Sequence, residues 1–159
     1  MIQRQRLTPD QAFQKARHYC AYQERCHQEV KEKLYSFGLR SKEVEELIAR
    51  LIEENYLNEE RFAVQFAGGR FRMKYWGRVK IRYELKQRQV GEYNIKKALA
   101  AIPEEDYEKT LDRLAERRWE DLQEEGDPFV RRRKLQDYLL QKGYEGDLVQ
   151  ARVKEYSSK

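Results

Sequence analysis

The sequence predicts an all-α protein built from three tandem three-helix repeats, each a helix followed by a helix–turn–helix hairpin, in an elongated, curved array. Two observations carry that expectation. The first is composition: among 159 residues there are only 8 Gly and 3 Pro, while 38% are charged and 40% hydrophobic. Few helix breakers and many Glu, Lys, Arg, Leu and Gln favour helix. The 11 Tyr, 6 Phe and 2 Trp supply core material despite a low mean hydropathy. The second is an internal repeat of apolar positions. Val30, Leu34, Leu39, Val44, Ile48 and Leu51 reappear 51 residues later as Ile81, Leu85, Val90, Ile95, Leu99 and Ile102. A further 54 residues on stand Leu135, Leu139, Tyr144, Val149, Val153 and Tyr156.

Within each set the steps are 4, 5, 5, 4 and 3. Steps of four and three keep residues on one helical face, and the two fives mark a turn between helices. Gly38, Gly91 and Gly143 fall near that turn, where a left-handed C-cap calls for glycine. Each set therefore reads as a hairpin with a buried seam. A further helix precedes each hairpin. The first starts at Thr8 as N-cap with Pro9 at the first helical position, and runs through Ala12, Phe13, Ala16 and Tyr19. Asn58 caps the next, which carries Phe62, Ala63 and Phe66. The last begins after Pro103 and shows Leu111, Ala115, Trp119 and Leu122 on one face; Asp127-Pro128 restarts the chain into the final hairpin. Nine helices result, in approximate units 8–56, 57–103 and 104–159. Helices of this length are marginal alone below about 12–15 residues, so each depends on packing its seam, and small repeats stack mainly on their neighbours.

No apolar run approaches the roughly 18 residues of a membrane span, and Met1 to Arg6 lack the apolar stretch of a secretory signal. The expected location is the cytoplasm, where Cys20 and Cys26 read as reduced thiols. His18, Cys20, Cys26 and His27 are the only imaginable metal ligands of mixed sulfur and imidazole type, but their spacing matches no standard zinc finger. No phosphate-binding glycine loop, nucleophile elbow or HExxH string occurs. The carboxylates lie among basic residues at helical spacing, as in surface ion pairs. The chain reads as a non-enzyme with no cofactor, no metal and no small-molecule substrate.

Positive charge is concentrated. The net charge is +5, yet residues 70–88 alone carry +7: Arg70, Arg72, Lys74, Arg78, Lys80, Arg82, Lys86 and Arg88 against the single acid Glu84. A second cluster, Arg131, Arg132, Arg133 and Lys134, occupies the positions of residues 77–80 after the 54-residue offset. Phe71, Tyr75, Trp76 and Tyr83 are interleaved with the first cluster, although Trp76 and Tyr83 suit a core equally well. Basic side chains neutralise phosphates and release counterions, and aromatic rings stack on unpaired bases. A merely solvated helix face is the plainer account of such charge; the occurrence of both clusters at equivalent repeat positions favours a binding role. Arg78, Arg82 and Lys86, spaced by four, are the leading contact candidates.

The middle of the chain resembles the RecX family. Residues 56–63, Tyr-Leu-Asn-Glu-Glu-Arg-Phe-Ala, are similar to that family's signature, which continues through Arg70, Gly77, Ile81, Glu84, Leu85 and Lys86 to Val90. The resemblance covers about 25 to 115 and, as a helix pattern, nearly the whole chain. It departs at Ala67-Gly68-Gly69, where larger residues are expected and where glycines costing about 1 kcal/mol each predict a kink or fraying. The resemblance implies a modular helical protein that binds the filament of the RecA recombinase on single-stranded DNA. It further implies inhibition of strand exchange, ATP hydrolysis and coprotease activity in DNA repair and the SOS response. Two other functions fit the residues alone: a helical nucleic-acid-binding protein acting independently of RecA, and an adaptor whose positive face matches an acidic protein.

Overall fold

The computed structural model describes residues 6–157, and every helix start foreseen from the sequence is occupied by a helix. These are α1 (Pro9–Tyr22), α2 (His27–Ser36), α3 (Ser41–Glu53), α4 (Glu59–Lys74), α5 (Arg78–Gln87), α6 (Glu92–Ala100), α7 (Glu104–Asp121), α8 (Pro128–Gln141) and α9 (Gly146–Ser157). No strand occurs among the described residues, and no described helix is long and apolar enough to cross a membrane. The caps follow from side-chain chemistry. Thr8 Oγ1 accepts from the Gln11 amide at 3.2 Å while Gln11 Oε1 accepts from the Thr8 amide at 3.1 Å, a reciprocal box that satisfies two orphan donors. Asn58 accepts from the Arg61 amide at 2.8 Å and Asp127 from the Phe129 amide at 2.9 Å. Each such cap is worth about 1 kcal/mol.

Sixteen of the eighteen repeat positions are buried; Val153 and Tyr156, near the end of α9, are half-buried. The turns between α2 and α3 and between α8 and α9 carry left-handed glycines, Gly38 at φ +84° and Gly143 at φ +98°. The α5–α6 turn departs from expectation. Gly91 is the N-cap of α6 at φ −69°, and Gln89 holds the left-handed position at φ 60°. Offsets of 51 and 54 from Gly38 and Gly143 both land on residue 89, so the backbone repeats faithfully while the residue does not. The strain of a side chain in that region, about 1–2 kcal/mol, is tolerated because the Val90 amide still closes onto the Leu85 carbonyl at 3.1 Å.

The three hairpins do not give three separate cores. Phe13, Val30, Leu34, Val44, Leu51 and Leu57 belong to a cluster confined to α1–α3 and the start of the following linker. A second cluster runs through α4–α9 without interruption. Its centre is an aromatic chain: Phe71 of α4 stacks on Tyr107 of α7 with centroids 5.8 Å apart, and Tyr107 meets Tyr144 at 5.2 Å. Among the described residues only Cys26, fully buried at the N-cap of α2, reaches from the first bundle into this second cluster.

Helix α4 is uninterrupted through Gly68 and Gly69, so the helix is not frayed there. Its inner face there is built from small residues. Ala63, Ala67 and Gly68 are buried, α4 and α6 form the most extensively packed helix pair, and Gly68 lines a cleft with Ala98 of α6 and its C-cap Ala101. A Cβ on Gly68 would lie 2.6 Å from the Arg72 guanidinium, one turn on in the same helix, whereas Gly69 faces open space.

Candidate functional site

The basic stretch is folded around the end of α4. Helix α4 stops because Tyr75 adopts a left-handed conformation at φ 61°; the chain then turns through Trp76 and Gly77 into α5. This turn docks on the α8–α9 turn by main chain. The Gly77 amide donates to the Lys142 carbonyl at 2.8 Å and the Val79 amide to the Gly143 carbonyl at 2.9 Å. Tyr144 Oη donates to the Tyr75 carbonyl at 2.9 Å. A Cβ on Gly77 would lie 2.3 Å from the Gly143 oxygen, and one on Gly143 2.3 Å from Lys80 Cβ. The two turns touch at van der Waals limits because both residues are glycine.

That docking decides the fate of Arg78. Its guanidinium pairs with Glu145 at 2.9 Å and with Glu104, and lies over the Tyr107 ring with 3.7 Å to the centroid. The Arg78 amide donates to Tyr107 Oη at 2.9 Å, and that hydroxyl donates to Glu145. Burial opposes the Arg78 charge, but hydrogen bonds to Glu145 and Glu104 outweigh it and raise its pKa. Burial, then the bond to Glu145, drives the Tyr107 pKa far up, so this phenol remains a donor. A residue singled out as a leading contact candidate is thus an internal clamp between the second and third units.

The other candidates divide by whether a carboxylate holds them. Arg82 pairs with Glu92, and Lys86 reaches the same carboxylate at 3.9 Å; the hydrogen bond from Arg82 lowers the Glu92 pKa. Arg88 pairs with Glu84 at 2.9 Å. Lys134 pairs with Glu125 at 2.8 Å, and Arg131 covers the Trp119 ring at 3.7 Å while donating to the Trp119 carbonyl. Arg70 lies over Phe66 at 4.6 Å, and Arg88 over the same ring at 4.7 Å. These residues line a groove of about 460 Å³ whose other wall is Gln23, Glu24 and Glu29 of the first bundle. Lys80 Nζ sits 4.7 Å from the Trp76 ring centroid.

Arg72, Lys74, Arg132 and Arg133 have no carboxylate partner among the described residues, and all but the half-buried Arg132 are exposed. The α8–α9 turn adds a cation that charge clustering along the sequence misses: Lys142 Nζ donates to the Lys74 carbonyl at 3.2 Å. The signal for it is a lysine at a helix C-cap, where cations meet the free carbonyls; its neighbour, however, is the end of α4, 68 residues away. Of the two aromatics whose placement the sequence left open, Trp76 is packed against the core and Tyr83 is exposed. Burial pushes the Cys20 and Cys26 thiols up to about 11, which makes them weak nucleophiles. Among the described residues no group of His, Cys, Asp and Glu is arranged to hold a metal ion.

Three models describing the first, second and third three-helix domains of RecX match residues 12–51, 58–99 and 104–151. The chain is 30% identical over 146 residues to a regulatory protein RecX of Prosthecochloris aestuarii, covering 91% of this chain and 92% of that protein. It is 32% identical over 131 residues to a regulatory protein RecX of Clostridium perfringens, and 29% identical over 145 residues to one of Bacillus cytotoxicus. In those two cases it spans 61% and 53% of the relative's length. The crystal structure of RecX from Lactobacillus salivarius superposes with a TM-score of 0.84 at 20% identity, over 95% of this chain and 97% of the other.

Proposed function

Because the chain belongs to the RecX family of regulatory proteins, we propose that it regulates the RecA recombinase in the bacterial cytoplasm. In this reading it binds the RecA filament on single-stranded DNA, inhibits strand exchange, ATP hydrolysis and coprotease activity, and catalyses nothing itself. The observation that carries the reading is the set of cations that, among the described residues, have no carboxylate partner where α4 ends: Arg72 and Lys74, with Lys142 brought beside them and Lys80 over the Trp76 ring. Such groups neutralise phosphate or acidic side chains without first breaking an internal pair. Arg132 and Arg133 extend the same chemistry to the third unit. Arg70 adds a guanidinium half-covered by Phe66. Arg78, Arg82, Lys86, Arg88 and Lys134 rank lower as binding residues, because each already serves an internal carboxylate, and Arg131 because its guanidinium covers the Trp119 ring as well as donating to the Trp119 carbonyl.

The test is RecA ATP hydrolysis on single-stranded DNA titrated with the protein. Inhibition that saturates is expected, and an Arg72→Ala/Lys74→Ala/Lys142→Ala variant should need more protein for the same effect. Its salt dependence should fall by about one unit of slope for each phosphate no longer neutralised. No inhibition by the parent would refute the reading. The same free cations suit a nucleic-acid-binding protein that ignores RecA; retention on bare single-stranded DNA with no additional effect of RecA would favour that alternative.

A further inference from the structure

Helix α5 has two faces of opposite character to what its charge suggests. Ile81 and Leu85 are fully buried, whereas Val79 and Tyr83 are 53% and 60% exposed. Val79 and Tyr83 are four residues apart and therefore lie side by side on the outer surface. The repeat within this chain shows that the fold does not demand them. The 51-residue offset places Gln28 and Glu32 at these positions, and the 54-residue offset places Arg133 and Asp137. The neighbouring position reverses the pattern: Lys86 stands where the other hairpins expose Tyr35 and Leu140. The middle hairpin has thus moved its exposed apolar surface toward the N-terminal half of its first helix.

The charges around the pair are mostly spoken for. Arg78 is held by Glu104 and Glu145, Arg88 by Glu84, and Arg82 shares Glu92 with Lys86. Two cations sharing one carboxylate, and Lys80 with none among the described residues, leave a modest positive rim. A face with paired charges is poorly made for a phosphate backbone, and an aliphatic Val79 offers a nucleotide neither a stack nor a hydrogen bond. An exposed apolar centre within a polar, mildly cationic rim is the composition of a protein–protein interface. Resting on the filament reading above, we propose that the outer face of α5, centred on Val79 and Tyr83, docks on the protein component of the filament. The site it fits is an apolar recess edged by carboxylates; the unpaired cations at the end of α4 and on α8 are left to face phosphate.

The experiment measures affinity of the full chain for RecA filaments on single-stranded DNA, and for the same DNA without RecA, at one salt concentration. It compares the parent with Val79→Ser/Tyr83→Ser and with Tyr83→Phe, all checked for helical signal and melting. The double variant should lose about tenfold or more in filament affinity, as expected for central apolar anchors, with bare-DNA affinity equal to the parent's. Tyr83→Phe should bind filaments like the parent. A double variant that binds filaments normally overturns the proposal, as does one that loses filament and bare-DNA binding in proportion, which would make the patch a nucleic-acid surface. A parent that does not bind filaments overturns the filament reading, and this assignment falls with it.

Discussion

Substituting Gly77 by alanine tests whether the second and third units are welded through main chain. Gly77 has φ −79°, which alanine adopts without strain, so any cost is steric. The added Cβ would sit 2.3 Å from the Gly143 oxygen, 2.4 Å from its carbonyl carbon and 2.6 Å from the Tyr144 nitrogen. All three are main-chain atoms that cannot rotate away. Relief to ordinary van der Waals spacing separates the turns by about 1 Å, which takes the 2.8 Å Gly77–Lys142 and 2.9 Å Val79–Gly143 hydrogen bonds past useful range. Two backbone pairs broken, at about 1–3 kcal/mol each when left unsatisfied, give about 3–5 kcal/mol once Tyr144 packing is included. Urea unfolding measures it, with two readouts. Trp76 and Trp119 both pack on the α4–α9 core, so tryptophan fluorescence reports that block, whereas circular dichroism reports every helix. The fluorescence midpoint should fall further than the dichroism midpoint. Gly69→Ala is the matched control: nothing lies within 4 Å of its Cβ, and a helical glycine replaced by alanine gains up to about 1 kcal/mol. A Gly77→Ala cost below about 1 kcal/mol would refute the weld.

Three further outcomes follow from residues already placed. Gln89→Gly should raise stability by about 0.5–1 kcal/mol, since glycine removes the left-handed penalty at φ 60° but costs some chain entropy; an unchanged urea midpoint would deny that strain. Arg78→Met should lower stability by about 1–3 kcal/mol, because Glu145 and Tyr107 Oη are deprived of a charged neighbour in a half-buried site, and a parent-like melting temperature would make Arg78 a free surface cation after all. Burial raises the Cys20 and Cys26 thiols from 9.0 to about 11, so the folded state holds these protons more tightly than the unfolded chain. That contribution is complete below about pH 9 and is lost as pH climbs toward 11; a urea midpoint flat from about pH 7 to about pH 10.5, or native thiols reacting with Ellman's reagent as fast as unfolded ones, would contradict it.

The helices are legible because their signals are local and periodic: an apolar seam, Thr8, Asn58 and Asp127 before it, a turn at a fixed offset. The same arithmetic marks residue 89 as the third left-handed turn, but a glycine two residues away points to Gly91 instead. What the sequence hides is anything that needs two distant segments at once. Gly77 and Gly143 each look like ordinary turn residues; only their juxtaposition gives them a steric purpose. The basic stretch is a similar case. Its eight cations look equivalent along the chain, yet Glu104 and Glu145 approach Arg78 from 26 and 67 residues away and turn it inward, while Arg72 and Lys74 meet no acid among the described residues. The unequal division of the core is hidden for the same reason, since Phe71 meets Tyr107 across a unit boundary.

The first bundle hangs on the rest by little. Arg61 at the start of α4 holds Glu24 in the α1–α2 loop, and donates to Asn55 Oδ1 at 3.2 Å and to the Asn55 carbonyl at 3.1 Å in the linker behind it. Apart from that guanidinium, the Cys26 side chain is, among the described residues, the one buried apolar group of the first bundle that belongs to the larger core. Helix α1, with 14 residues, extends about 21 Å at 1.5 Å per residue, and the Arg61–Glu24 contact lies just past its C-terminal end. Ten degrees of rotation about the Arg61 latch would carry the far end roughly 3–4 Å, given that length. The Arg61 contacts thus sit where a small change of angle displaces the start of α1 the most.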